Sequence, residues 1–246
     1  MRKIIPSLFV LLFAVGAVNA QNFLVYDNLA SPSTATAGSS VTDLAAIWGD
    51  RVSATQVGWL NQVQCTIFNS STGNTNPILT TTLIMSLFPA ATFDATNFAN
   101  NTPFLSFNVN VNFGTGLAAG FFSVLTIDTS SLNFFLPTTN IMIAQQLSNI
   151  TGGSTRAGVA FFSTDNVGSQ YAANDNHYRS STINASGYYT IGTGNNRIGY
   201  SLSVAVPEPA TYALMGLSGL ISVGAFVRFR RRNKLAMDQK LSALSK

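Results

Sequence analysis

Between Lys3 and Lys234 the chain has no lysine, and Glu208 is its only glutamate. The straight-chain residues that sustain solvent-facing helices are therefore missing from nearly its whole length. Thr, Ser, Asn, Val and Phe stand in their place. The β-branched and aromatic types fit a pleated, half-buried surface, and Asn, Ser and Gly fit the turns between strands. One stretch shows the pattern without interruption: Phe107, Val109, Val111 and Phe113 alternate with Ser106, Asn108, Asn110 and Asn112. A period of two over that length predicts a strand with one face on a core and the other in water.

The same period recurs elsewhere. Val57, Trp59, Val63, Cys65 and Ile67 alternate with Gly58, Gln62, Gln64 and Thr66, and Asn61 interrupts the apolar row; Leu79, Leu83, Met85 and Leu87 alternate with Thr80, Thr82 and Ser86. Further strands are predicted over 23–27, 121–128, 140–147, 156–162, 188–191 and 200–206, each bounded by turn-forming residues. About nine strands with no βαβ rhythm predict an all-β body, a single antiparallel β-sandwich of jelly-roll or Greek-key type, followed by one C-terminal transmembrane helix. The polar segments 69–77 and 164–186 read as long loops. Cys65 has no second cysteine to pair with. Its position in a strand predicts a buried small hydrophobe rather than a reactive thiol.

The two ends carry the hydrophobic segments. Arg2 and Lys3 precede an apolar run, and Val18-Asn19-Ala20 supplies a small-residue cleavage site, so residues 1–20 are expected to be a signal peptide cut after Ala20 and handled by the Sec export machinery. At the other end, residues 210–227 carry no charge. As a helix they would reach about 27 Å, close to the hydrocarbon core of a bilayer. Arg228, Arg230, Arg231 and Arg232 follow as a stop-transfer cluster, which keeps the C-terminus cytoplasmic and faces residues 21–206 outward.

The Pro207-Glu208-Pro209 box, the short apolar span and the arginine cluster together resemble the PEP-CTERM sorting signal of Gram-negative bacteria over residues 207–232. The resemblance implies a transient inner-membrane anchor recognised by exosortase, a membrane-embedded cysteine protease-transpeptidase, with Pro207, Glu208 and Pro209 as recognition residues. It implies a processed protein of the cell surface or extracellular matrix, with a structural or adhesive role linked to exopolysaccharide in biofilm. Residues 233–246 extend past the arginines as a short cytoplasmic tail.

Charge is segregated along the chain. The formal net charge is +4, but the body holds Arg51, Arg156, Arg179 and Arg197 against Asp27, Asp43, Asp50, Asp94, Asp128, Asp165 and Asp175, and is mildly acidic. Four scattered arginines assemble no phosphate-neutralising patch, which excludes nucleic acid as a partner. His177 is the only histidine, and a secreted hydrolase would have to use it with an acid such as Asp165 or Asp175. No Gly-x-Ser-x-Gly elbow accompanies it, so no enzyme is expected. One histidine and one distant cysteine cannot supply a zinc site. No cofactor is expected beyond calcium, for which Asp165 and Asp175 offer oxygen ligands, beside Asn166, Asn174 and Asn176. Tyr171, Tyr178, Tyr188 and Tyr189 are the aromatic residues that a carbohydrate-binding module would use.

Overall fold

The computed structural model describes residues 20–30, 32–40, 47–71, 77–94, 98–154, 156–171, 177–180, 187–189 and 197–207, together with positions 224, 226, 228 and 230. The chain divides into two compact units, one formed by Asn22–Ala205 and the other by Met1–Gln21 with Val206–Lys246. The strands are β1 (Ala20–Asp27), β2 (Pro32–Ser40), β3 (Ile47–Ser53), β4 (Trp59–Phe68), β5 (Ile78–Pro89), β6 (Leu105–Leu117) and β7 (Phe122–Asp128). They continue with β8 (Asn140–Ser148), β9 (Arg156–Phe162), β10 (Ser169–Gln170), β11 (His177–Ser180), β12 (Gly187–Tyr189), β13 (Arg197–Ile198) and β14 (Tyr200–Pro207).

Among the described residues these strands form two sheets of seven strands each. In the first, β2 pairs with β9, β9 with β4 and β4 with β7; in the second, the order runs β3-β8-β5-β6. The chain thus passes between sheets at β2 to β3, β3 to β4, β4 to β5, β6 to β7, β7 to β8 and β8 to β9, and again at β9 to β10 and β12 to β13. That winding, two Greek keys wrapped into facing antiparallel sheets, is a jelly roll. The strand β14 lies along β4 from Trp59 to Cys65, so β9 reaches β4 only where Gly158 meets Phe68. Short β10, β11 and β12 widen the second sheet beyond β3.

Inward residues of both sheets form the core. Tyr26, Val63, Cys65, Ile67, Phe161 and Tyr200 come from one sheet, and Val52, Leu83, Met85, Leu87, Ile141 and Ile143 from the other, all buried. Each such aliphatic or aromatic side chain contributes about 1.5–3 kcal/mol on leaving water. Hydrogen bonds cross between the layers: Gln145 Nε2 donates to the Thr66 carbonyl at 2.9 Å, the Tyr200 hydroxyl to the Trp48 carbonyl at 3.4 Å, and the Ile198 N–H to Asp50 Oδ2 at 3.3 Å. A smaller cluster of Phe88, Phe93, Met142 and Ala144, with Ile47 and Phe98 against it, fills the outer face of the second sheet.

The alternation read from the sequence breaks at two places. Trp59 and Val57, expected inward, are exposed, and Leu60 is buried in their stead. The cause is a bulge. Ser203 pairs with Gln62 but Val204 pairs with Leu60, so Asn61 is the extra residue and the facing of everything before it reverses. Leu79 is exposed for a similar reason: pairing slips between Ile78 and Thr80, where β6 carries Gly114 and Gly116 at positive φ. The segment 164–186 is also not simply a loop, because its described part contains β10 and β11, both paired to β3. Residues 72–76 of the other expected loop lie outside the described residues.

Gly168 shows how tightly the chain turns into β10. Its φ is +74°, and a Cβ there would lie 2.6 Å from the Ser53 carbonyl oxygen and 2.9 Å from Tyr26 Cδ2. Gly168→Ala is expected to cost about 2 kcal/mol, from left-handed strain together with a backbone collision that cannot relax. A lowered urea midpoint with an unchanged m-value would register it.

Candidate functional site

The sorting elements fall in the unit formed by Met1–Gln21 with Val206–Lys246. Ala20 opens β1 and Pro207 closes β14, strands that are neighbours in the first sheet. Proline has no N–H to continue a ladder, so the box begins where strand pairing ends. Glu208, Pro209, Arg231 and Arg232 lie outside the described residues. Gly224, Phe226, Arg228 and Arg230 are helical. The Arg230 guanidinium sits 5.1 Å over the Phe226 ring, a contact that the spacing of four along a helix creates. Of the expected span 210–227 only Gly224 and Phe226 are described, and among the described residues no helix is long and apolar enough to cross a membrane.

Within the sandwich, Asp50, Asp165, Arg197 and Tyr26 lie buried or nearly so at one end of the sheets. Asp165 follows β9, and Arg197 Nη1 approaches its Oδ2 at 2.9 Å while the Tyr26 hydroxyl donates to its Oδ1 at 3.1 Å. The Asp165 and Arg197 side chains are only 9% and 13% exposed. Asn166 Nδ2 reaches Asp27 Oδ2 at 2.7 Å and Asp27 exchanges backbone bonds with Val167, which ties this segment to the end of β1. Across the break between β13 and β14, Asn28 Nδ2 donates to the Ile198 carbonyl and its Oδ1 accepts from the Tyr200 N–H, both at 2.8 Å. Asp50, wholly buried on β3, accepts from the Ile198 N–H at 3.3 Å.

Burial holds the hydroxyls of this region neutral. The Tyr26 hydroxyl titrates well above its ordinary range, chiefly from desolvation, then from the charges of Asp50 and Asp165 and the bond to Asp165, with Arg197 opposing. Tyr200 is raised likewise by burial, with Cys65 and Asp50 adding to it. Burial alone pushes the Cys65 thiol up to about 12. These are the marks of a protonated interior. A low-pKa thiolate needs exposure and a nearby cation, and Cys65 is buried.

Of the sequence-derived candidates, Asp165 belongs to this network. Both oxygens of Asp165 are engaged by Arg197 and Tyr26, so a calcium ion there would compete with a guanidinium for the same atoms. Asp175, Asn174 and Asn176 lie outside the described residues. Among the described residues no three His, Cys, Asp or Glu side chains gather as metal ligands would. His177 begins β11 opposite Tyr189, and Tyr178 faces Tyr188 across the same strand pair, so His177 belongs to a strand and not to the loop expected for it. Tyr171 packs elsewhere, its ring 5.2 Å beneath the Arg51 guanidinium carbon. A cavity of about 40 Å³ lined by Ile47, Ile84, Ser86, Phe98 and Gln146 holds little more than a water and has no titratable wall.

Residues 205–232 match the family model for the PEP-CTERM protein-sorting motif. The chain carries that motif where the box, apolar run and arginines stand, which marks it as an exported protein targeted to exosortase and sorted toward the cell surface. No curated protein matches the chain. The buried Asp50, Asn28 and Arg197 network escaped sequence reading. Its one signal was a charged pair, Asp50-Arg51, inside an otherwise apolar strand.

Proposed function

We propose that this is a surface or extracellular-matrix protein whose jelly-roll body is exported behind a signal peptide cut after Ala20. A helical anchor over 210–227 then holds it briefly in the inner membrane with the arginines cytoplasmic, and exosortase processes it at Pro207-Glu208-Pro209. Its role is structural or adhesive beside exopolysaccharide and not catalytic. The observation that carries the reading is the sorting motif at 205–232, opening at the last residues of the terminal strand. The engagement of Asp165 in an ion pair and the burial of Cys65 support a scaffold role for the body. Exosortase, the Sec machinery and the inner membrane are its partners during biogenesis.

Changing Pro207, Glu208 and Pro209 together to alanine tests it in the native host. The precursor is expected to be exported and to accumulate, uncut, in the membrane fraction, because the span and stop-transfer arginines remain. Mature protein at the normal level would remove exosortase from the account.

A further inference from the structure

The strand β6 ends its sheet: among the described residues it pairs only with β5, leaving its other edge of alternating N–H and C=O groups open. Proteins guard such edges with charge, proline, a mid-strand bulge or brevity. Over its 13 residues Leu105–Leu117 contain neither charge nor proline, and the irregular glycines, Gly114 and Gly116, stand at one end. Neither β5 nor β8, the next two strands inward, carries a charge. The inward row of Phe107, Val109, Val111 and Phe113 is also only half-buried, whereas Leu83 and Met85 beside it on β5 are fully buried. The core is short of one strand's width of cover on this side.

The sequence of that edge says what fits it. Residues 107–113 read Phe-Asn-Val-Asn-Val-Asn-Phe, the same in both directions. We propose that β6 pairs with β6 of a second copy, antiparallel and about a two-fold axis through Asn110, so that the sheets of two molecules become continuous. A two-fold interface must be self-complementary. Here that symmetry sets Phe107 against Phe113 of the other copy, Val109 against Val111, Asn108 against Asn112 and Asn110 against itself. The aromatic and β-branched pairs gain across the strands on one face, and no like charges meet. On the other face Thr82 Oγ1 already donates to Asn110 Oδ1 at 3.1 Å. The Asn110 amide N–H groups then bridge the seam to the partner's Oδ1, which has a second lone pair to accept them.

Seven residues a side is well short of the roughly 20–30 that a standard interface employs. The pair is therefore weak in dilute solution and favoured where chains are crowded on a surface, since shared anchorage raises effective concentration. The pairing stands apart from the exosortase reading and survives if that reading fails.

Cysteine scanning of the full chain in detergent, under mild oxidation, tests the register, because Cys65 is buried and does not compete. Opposed positions lie about 4.5–5.5 Å apart at Cα, within disulfide reach. Asn110→Cys is expected to give a covalent dimer. Asn108→Cys and Asn112→Cys, each about 14 Å from its own copy along the strand, are expected to stay unlinked singly and to cross-link when combined. Asn110→Lys sets like charges face to face on an exposed position and is expected to abolish the concentration-dependent dimer in sedimentation while leaving circular dichroism unchanged. Equal cross-linking at all three positions, none at Asn110→Cys, or a monomer at every concentration would overturn the proposal.

Discussion

Arg197→Met is expected to destabilise the sandwich by about 3–5 kcal/mol, the cost of leaving a buried charge without its partner. Asp165 is nearly enclosed, and its two oxygens rest on Arg197 and on the Tyr26 hydroxyl. With the guanidinium gone, one weak phenolic donor must hold a carboxylate that water can barely reach. Asp165 also terminates the segment that leads through Asn166 and Val167 to β10, which the bonds to Asp27 pin onto β1. The loss should therefore spread to the edge strands of both sheets. Adding Asp165→Asn to Arg197→Met removes the unpaired charge while keeping an acceptor and a donor for Tyr26, and is expected to recover more than half of the loss. A double-mutant cycle by urea denaturation measures this. If Arg197→Met alone costs less than about 1 kcal/mol, the pair behaves as an exposed ion pair and the enclosed network described above is wrong.

What was legible in the sequence was what periodicity carries. The strands β4, β5 and β6 announced themselves by alternating apolar and polar residues, β7, β8 and β9 by runs bounded by turn-forming residues, and β9 appears with the predicted bounds. The strand β2, Pro-Ser-Thr-Ala-Thr-Ala-Gly-Ser-Ser, gave no such signal because small residues write no contrast between faces. The strand β3 hid for the opposite reason: Gly49, Asp50 and Arg51 interrupt its apolar row, yet Asp50 points inward to serve the Ile198 N–H. Asn61 was legible as an anomaly but not as a bulge, since only the partner strand reveals that Ser203 and Val204 face Gln62 and Leu60. The sorting motif was readable because its signal is local, a box, an apolar length and a charge cluster that need no tertiary partner. The ion pair of Asp165 was hidden for the converse reason. Asp165 looked like a loop ligand because nothing nearby in the sequence announces Arg197, 32 residues on, as its counter-ion.

Stability is expected to fall steeply between about pH 9 and pH 12, with Cys65 among the groups responsible. The thiol titrates at its ordinary value of 9.0 once the chain is unfolded, and burial pushes it up to about 12 in the fold. Between those values the unfolded chain gives up the proton and the folded one keeps it, so the folded state binds more protons and each step upward in pH favours unfolding. The contribution is fully present below pH 9 and is eroded as pH rises, the loss reaching about 4 kcal/mol by pH 12 at 1.36 kcal/mol per unit. Tyr26 and Tyr200, both raised by burial, act in the same direction from about pH 10 upward. Cys65→Val removes one titrating group at nearly constant shape, and its stability curve should decline less between pH 9 and pH 10, where the tyrosines have yet to titrate in the unfolded chain. Because the thiolate forms only after unfolding, a thiol reagent at pH 8 should label the native protein no faster than the chain opens. Rapid labelling of Cys65 in the folded protein would show that the sheets part more readily than this packing allows, and the alkaline slope would have to be assigned to other groups.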